Sequence, residues 1–502
     1  MKRIITLLFS VITTLSALAT DYTDQLEVIV NGESATQNAT ISVTKQDDSK
    51  YTLSLKNFVL QSDDQTMGIG NITLTDIEGV EKDGVTTIKI NKSINITEGD
   101  DTSVGMWMGP MLGAVPINTI AELRGDKLYV VIDIDMMSSI GQIIKVVFGN
   151  GGYQIPNSGF ESFQSTGEPV AWHGFNTATG AFAGWAKGKV SQSDVVRPGS
   201  NGNSSALVKS GDVFGIVNNG TITTGRLNAG SMTAASTDNH ASLDMSVTAK
   251  DKNGDPYYAL LNARPDSIVV WVKFKQAKPN SEYPNATISA IITDGTYYQD
   301  PEDKTYTNKV AEARNEEIAT EGGNWQRLSI PFVYFRNMAE PKAILVTAST
   351  NAEPGKGSSG DEMYLDDISL IYNHALYSLT IKGQKVELQE GVTDYTLDVD
   401  GDISEDDIVA TSNGMGATIE KNITKEDNQT VVSVKVLSND LKESTTAKVT
   451  IPQTNAIHPS MVVPVAADEV YSIDGKRVNE TQTGRIYIKK GKNGTVKKVI
   501  RR

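Results

Sequence analysis

Residues 127–136 read "KLYVVIDIDM". Leu128, Val130, Ile132 and Ile134 fall on one face of an extended chain, and Tyr129, Val131, Asp133 and Asp135 on the other, because successive strand side chains point to opposite faces. One face is wholly apolar and the other mixed, the pattern of a strand that covers a core on one side. The runs "LEVIV", "TISVTK", "YTLSLKNFVL", "GIGNITLTDI", "VTTIKI" and "IIKVVFG" repeat this pattern, separated by Gly, Asn and Asp. Short strands at regular spacing predict a closed barrel or sandwich over residues 20–150.

The rest of the composition agrees with an all-β chain. Among 502 residues, 7% are aromatic and 21% charged, a balance unlike that of charge-rich disorder. The net charge of −15 argues against nucleic acid as a partner, since that surface must be basic to displace counterions. There is no Cys, which removes disulfides, thiolate metal sites and cysteine nucleophiles.

Residues 1–19 have the form of a signal peptide. Lys2 and Arg3 precede the apolar run "IITLLFSVITTLSALA", and Ala17-Leu18-Ala19 suits cleavage before Thr20. The absence of a Cys there excludes a lipid anchor of the lipoprotein kind. No later segment has the ~18 apolar residues of a membrane helix. These features predict a secreted or outer-surface protein with no transmembrane segment in the mature chain.

"YTLSLKNFVL…MGIGNITL", "WMGPMLGAVPI" and "KLYVVIDIDM…IIKVVFG" together resemble the calycin-like β-barrel family of gut Bacteroidetes. The resemblance implies a lipocalin-style barrel of about eight strands. Residues 153–375 open with "IPNSGFESF", close with "MYLDDISLIY", and carry "DSIVVWVKFK", "ATISAIITDG", "NWQRLSIPFVYF" and "KAILVTASTN" between. That order resembles the carbohydrate-metabolism (PCMD) jelly-roll domain, which is similar to sugar-binding modules of galactose-binding-like fold. Residues 376–452 read as a small immunoglobulin- or cadherin-like β-sandwich, and 453–468, rich in Pro and Ala, as a linker. The basic tail 469–502, with "VYSIDGKRV" and "GRIYIKKG", resembles the C-terminal sorting domain of type IX secretion. It implies export machinery as a partner; a terminal β-hairpin that simply ends the chain is the plainer alternative, and a basic nucleic-acid arm the third.

In "MYLDDISLIY" strict alternation sets Asp366 with Tyr364, Ile368 and Leu370, and Asp367 with Leu365, Ser369 and Ile371. The two carboxylates then diverge. They do not form the pair that flanks a glycosidic bond at roughly 5–9.5 Å. The resemblance to sugar-binding jelly rolls implies a structural Ca²⁺ joining the first strand to the last, with Asn157 and Glu161 in the opening segment and Asp366 and Asp367 in the closing one as ligands. Solvated carboxylates at strand ends are the alternative. "DVDGDISEDD" (398–407) mimics the start of a calcium loop, but Ile403 and Val409 stand where Gly and an acid are required.

For a glycan or polysaccharide, Trp271 is the first candidate contact, placed opposite the apolar face Ile268, Val270, Val272 and Phe274, with Trp185, Tyr297 and Tyr298 on loops beside it. Core or rim packing is the competing role for such aromatics. Trp172 and Trp325 read as structural. His173, His240, His374 and His458 show no metal spacing, and no G-x-S-x-G, phosphate loop or dinucleotide fingerprint occurs. The expectation is a non-catalytic glycan-binding protein. Two alternatives remain: an enzyme using loop acids such as Asp294, Asp300, Glu302 or Asp361, and a structural protein whose barrel, near Trp107, holds an apolar small molecule.

Overall fold

The computed structural model describes residues 19–46, 49–62, 65–82, 84–186, 189–335, 339–426, 428–452, 469–472, 476, 478, 486–490 and 496–500. The signal segment up to residue 18 and the linker 453–468 lie outside the described residues.

Eight antiparallel strands form the N-terminal unit: β1 (Ala19–Val30), β2 (Glu33–Lys45), β3 (Lys50–Ser62), β4 (Gln65–Lys82), β5 (Val85–Asn95), β6 (Ala114–Arg124), β7 (Lys127–Met136) and β8 (Gln142–Phe148). Each pairs with the next, and β1 pairs with β8 in the register Leu26 to Phe148, closing a barrel with no free edge. The alternation of "KLYVVIDIDM" decides which way each side chain goes. Leu128 and Val130 are buried in the barrel core with Ile88, Ala121 and Phe148, and Ile132 and Ile134 pack against them. Tyr129 and Val131, on the outer face, belong to the core of the next unit instead.

That next unit is a two-sheet sandwich. One sheet runs in the order Gln326–Pro331, Ser267–Lys275, Glu362–Ile371, Ser205–Lys209, Lys189–Ser193. The other runs Thr221–Thr223, Ala343–Ser349, Ala286–Thr293, Lys309–Ile318, Val333–Tyr334, with Ala259–Leu260 paired to Ala343–Ser349. Between them lie Ile268, Val270, Val272 and Phe274 from one sheet and Ile288, Ala290, Val346 and Ala348 from the other. The opening segment lies along the last strand: Gln154 exchanges side-chain hydrogen bonds with the backbone of Leu370, and Ile368 N–H donates to Ser158 O at 3.0 Å.

The strict alternation expected for Glu362–Ile371 is overturned by a β-bulge. Its pairing with Ser267–Lys275 shifts register between Val269 and Trp271, and Asp367 has φ 41°. Met363 and Leu365 face the core, then Ile368 and Leu370 do; the phase slips across Asp366–Asp367. A bulge re-aims side chains in this way, so Asp366 does not share a face with Ile368.

The third unit packs the sheet Gln384–Lys385, Leu376–Ile381, Ile408–Ser412 on the sheet Asp394–Thr396, Ser444–Pro452, Gln429–Leu437, Thr418–Glu426, over Leu379, Ile381, Val432, Val434 and Val449. In "DVDGDISEDD", Val399 and Ile403 are buried in this core and Asp407 caps the turn at Ser404 N and Oγ. The tail contributes three strands, Glu469–Ser472, Ile486–Lys490 and Val496–Ile500, in one antiparallel sheet. The first three units meet at Tyr129: its ring lies 4.8 Å from that of Tyr153, and its hydroxyl donates to Asp440 O at 2.7 Å. Among the described residues no helix is long and apolar enough to cross a membrane.

Candidate functional site

The outward face of the second sheet changes character along its strands. At one end Leu345, Ala343 and Ile291 are apolar and lie under a small sheet made of Arg226–Ala229, Asn239–Leu243 and Tyr298–Asp300. At the other end the same face carries Thr287, Ser289, Thr347 and Ser349, and here a groove of about 410 Å³ opens over them. Each polar position follows from a period of two, since the intervening Ile288, Val346 and Ala348 point into the core.

The groove has a charged side and an aromatic side. Arg314 stands across the ladder from Ser289. Its Nη2 donates to both Asp300 oxygens at 3.0 and 3.1 Å, its Nε donates to Glu312 at 2.8 Å, and Ser289 Oγ donates to Asp300 at 2.9 Å. The two carboxylates, Asp300 and Glu312, hold the guanidinium charged against the cost of its burial. Both oxygens of Asp300 are thus occupied by donors, which makes it part of a fixed fork. The aromatic side is lined by Phe182 and Trp185, whose rings are 6.5 Å apart at 84°, and the ring of Phe214, just beyond the lining, stands against Trp185 at 5.5 Å and 66°.

Phe214 is the residue that the sequence reading missed. The strands Gly211–Val213 and Ile216–Asn218 pair with Val213 opposite Ile216, leaving Phe214-Gly215 as a two-residue hairpin turn. Both turn residues have positive φ, 53° and 80°. Gly215 adopts this without cost, but a bulky side chain in that region is strained. The ring gains no burial in return, being 78% exposed. A strained, solvent-held aromatic beside a groove points to a ligand. The signal in the sequence was "VFGI", a turn with Phe where Asn or Asp is usual.

The four aromatic candidates do not form one platform. Trp185, half exposed, lines the groove. Trp271 is on the other sheet, with the core between, and Arg197 stacks over its ring at 5.1 Å. Tyr298 is buried, its hydroxyl on Glu302. Tyr297 borders a separate open hollow with Asp244, Asp294 and Lys342.

The four residues expected to hold Ca²⁺ lie at the shared edge of the opening segment and the last strand, yet protein donors engage them. Asn157 Nδ2 donates to Ser162 O and Val170 O, and its Oδ1 accepts from Ser162 N. Glu161 accepts from the N–H groups of Asn203 and Ser204. The bulge turns Asp366 and Asp367 onto a single residue: Asp366 accepts Arg197 N–H at 3.0 Å, and Asp367 accepts Arg197 Nε–H at 2.5 Å. Arg197 supplies the positive charge that a metal would, so this donor set fits a protein-made clamp. Among the described residues no three His, Cys, Asp or Glu side chains are grouped to hold a metal ion. Asp366 is fully buried with Oδ1 unpartnered, and burial pushes its carboxyl up to about 6.

Comparison with curated proteins finds no match. At residues 18–151 the chain matches the family described as the calycin-like beta-barrel domain, and the eight strands that close on themselves there make the N-terminal unit a calycin-like β-barrel domain.

Proposed function

We propose that this is an exported, non-catalytic glycan-binding protein of the cell surface or medium, and that its sandwich unit holds a saccharide in the groove between Trp185 and the Arg314–Asp300 fork. The observation that carries the reading is the pairing of exposed aromatic rings with a floor of hydroxyls. Sugar rings present apolar C–H faces and a rim of hydroxyls, and such sites combine a flat apolar wall with a few fixed polar groups. Thr287, Ser289, Thr347 and Ser349 supply the floor, and Phe182 and Trp185 the wall, with Phe214 extending it from behind Trp185. Export draws support from Lys2, Arg3 and the apolar run after them, and from the likeness of 469–502 to a sorting domain.

The test is glycan binding by the full chain, on an array and then by calorimetry, with Trp185→Ala beside the native protein. A hit lost in that variant, with unchanged melting, supports the proposal. Binding that survives Trp185→Ala but fails in Trp271→Ala would move the site to the other sheet. Release of reducing sugar would replace it with the enzymatic reading; the occupied oxygens of Asp300 favour binding over proton transfer.

A further inference from the structure

Near the start of the sandwich, Phe163 and Pro169 form an antiparallel bridge, and Gln164 N–H donates to Glu168 O at 2.8 Å. Gly167, at φ 87°, closes the turn by donating to Gln164 O at 2.9 Å. Gln164 and Glu168 are therefore opposite partners of a tight hairpin, and opposite partners project from the same face. Glu168 is fully buried. Its Oε1 accepts the N–H groups of Gly174 at 2.7 Å and Asn176 at 3.0 Å, and the Thr177 hydroxyl also bears on the carboxyl, but no donor meets Oε2 at hydrogen-bond geometry.

Two more buried oxygens on this hairpin lack partners, Gln164 Oε1 and Thr166 Oγ1. The Gln164 amide cannot turn round to satisfy its own oxygen, because its Nε2 is committed to Asp251 Oδ2 at 2.6 Å. Asn176 ties the turn together, donating from Nδ2 to Thr166 O at 3.1 Å while its N–H holds Glu168. The surroundings add negative charge. The Asp251 side chain is fully buried, accepts N–H groups from Asn253 and Asp255, and bears on the Glu168 carboxyl. Its other neighbour, His173, is kept toward the neutral form by burial.

Three buried oxygens without partners, a carboxylate, an amide and a hydroxyl, are costly to bury. We propose that a hard, calcium-sized cation binds among Glu168 Oε2, Gln164 Oε1 and Thr166 Oγ1. Carboxylate, amide and hydroxyl oxygens are the ligand types such an ion takes, with water or backbone carbonyls completing its shell of ~6–8 oxygens. A single carboxylate sets a weak site, on the order of 10⁻⁴–10⁻³ M, the range of extracellular modules. This site is separate from Asp366 and Asp367, and it stands whether or not the groove binds a sugar.

The test is thermal unfolding of the full chain, freed of metal with chelator and then titrated with CaCl₂, with MgCl₂ and NaCl as comparisons. Saturating CaCl₂ is expected to raise the sandwich transition by roughly 2–5 °C, Glu168→Gln to lose the rise, and Asp367→Asn to keep it. An unresponsive native chain overturns the proposal, and a Glu168→Gln variant that then melts higher shows that the Glu168 and Gln164 oxygens share a proton instead. A rise that survives Glu168→Gln but is lost in Asp367→Asn also overturns it and places the ion at the strand edge.

Discussion

Asp367 Oδ2 and Arg197 Nε are 2.5 Å apart, and this ion pair fastens the loop between Lys189–Ser193 and Ser205–Lys209 to the last strand of the sandwich. The same guanidinium covers Trp271. Arg197→Ala is expected to destabilise the sandwich by about 1 kcal/mol, the range of partly exposed pairs. It also uncovers the Trp271 ring, which quenching of tryptophan fluorescence reads directly. Unchanged quenching would mean that the loop is held by other contacts.

Asp366 sets a pH dependence. Its carboxyl titrates near 6 in the folded chain, above the usual range, mainly because of burial. The folded state therefore keeps a proton that the unfolded state releases. That contribution is complete below the ordinary Asp range and is lost as pH rises through about 6. The full effect is about 2–3 kcal/mol. Asp366→Asn should flatten the slope in denaturant midpoints across this window and be the more stable form at neutral pH. An unaltered slope in the variant refutes the assignment.

Phe214 trades stability for exposure. Asn adopts the positive φ of the hairpin turn more readily than Phe. Phe214→Asn is expected to leave the melting temperature equal or higher, by up to about 1 kcal/mol, while weakening glycan binding. A variant that binds as well as the native chain would show that the ring does not contact the ligand.

Arg314 neutralises Asp300 and Glu312 at the groove floor, and its charge and hydrogen bond hold Glu312 below the usual carboxylate range against the cost of burial. Arg314→Ala leaves Asp300 without its Arg314 partner and Glu312 with only Lys309, 3.5 Å away, and should cost about 2 kcal/mol. A depressed carboxyl contributes stability above its unfolded pKa and loses it as pH falls through the folded value. Acid unfolding of the variant should therefore be shallower as well as earlier.

At the junction of the units, Tyr129→Phe removes the buried bond to Asp440 O and is expected to cost about 1–2 kcal/mol. Its sharper signature is separation of the barrel transition from that of the third unit in calorimetry. A single merged transition in the variant would show that the other contacts across this junction, such as the Lys89–Glu420 and Lys145–Glu443 ion pairs, couple them.

The barrel was legible because its logic is local. In "KLYVVIDIDM" a period of two assigns Leu128 and Val130 to the interior, and it also leaves Tyr129 and Val131 as apolar side chains on the outer face. Glu161 could be read as part of the opening segment, but its partners could not, because Asn203 and Ser204 come from a loop about forty residues away. Trp185 was named from its type alone. Its neighbours Phe214 and Arg314 belong to separate hairpins and strands that only sheet packing brings together.

The alternation of apolar and polar residues determined by itself that this chain is built of strands and, in the barrel, which side chains face the core. Tertiary structure alone decided that Asp366 and Asp367 converge on Arg197, because one slipped residue in the pairing with a distant strand reverses the faces that alternation assigns. It also decided that Trp271 stands on one sheet while Trp185, at the end of a short turn, lines the groove over the other. Strand pairing at long range obeys register and burial summed over whole sheets, and neither quantity is written in any single stretch of residues.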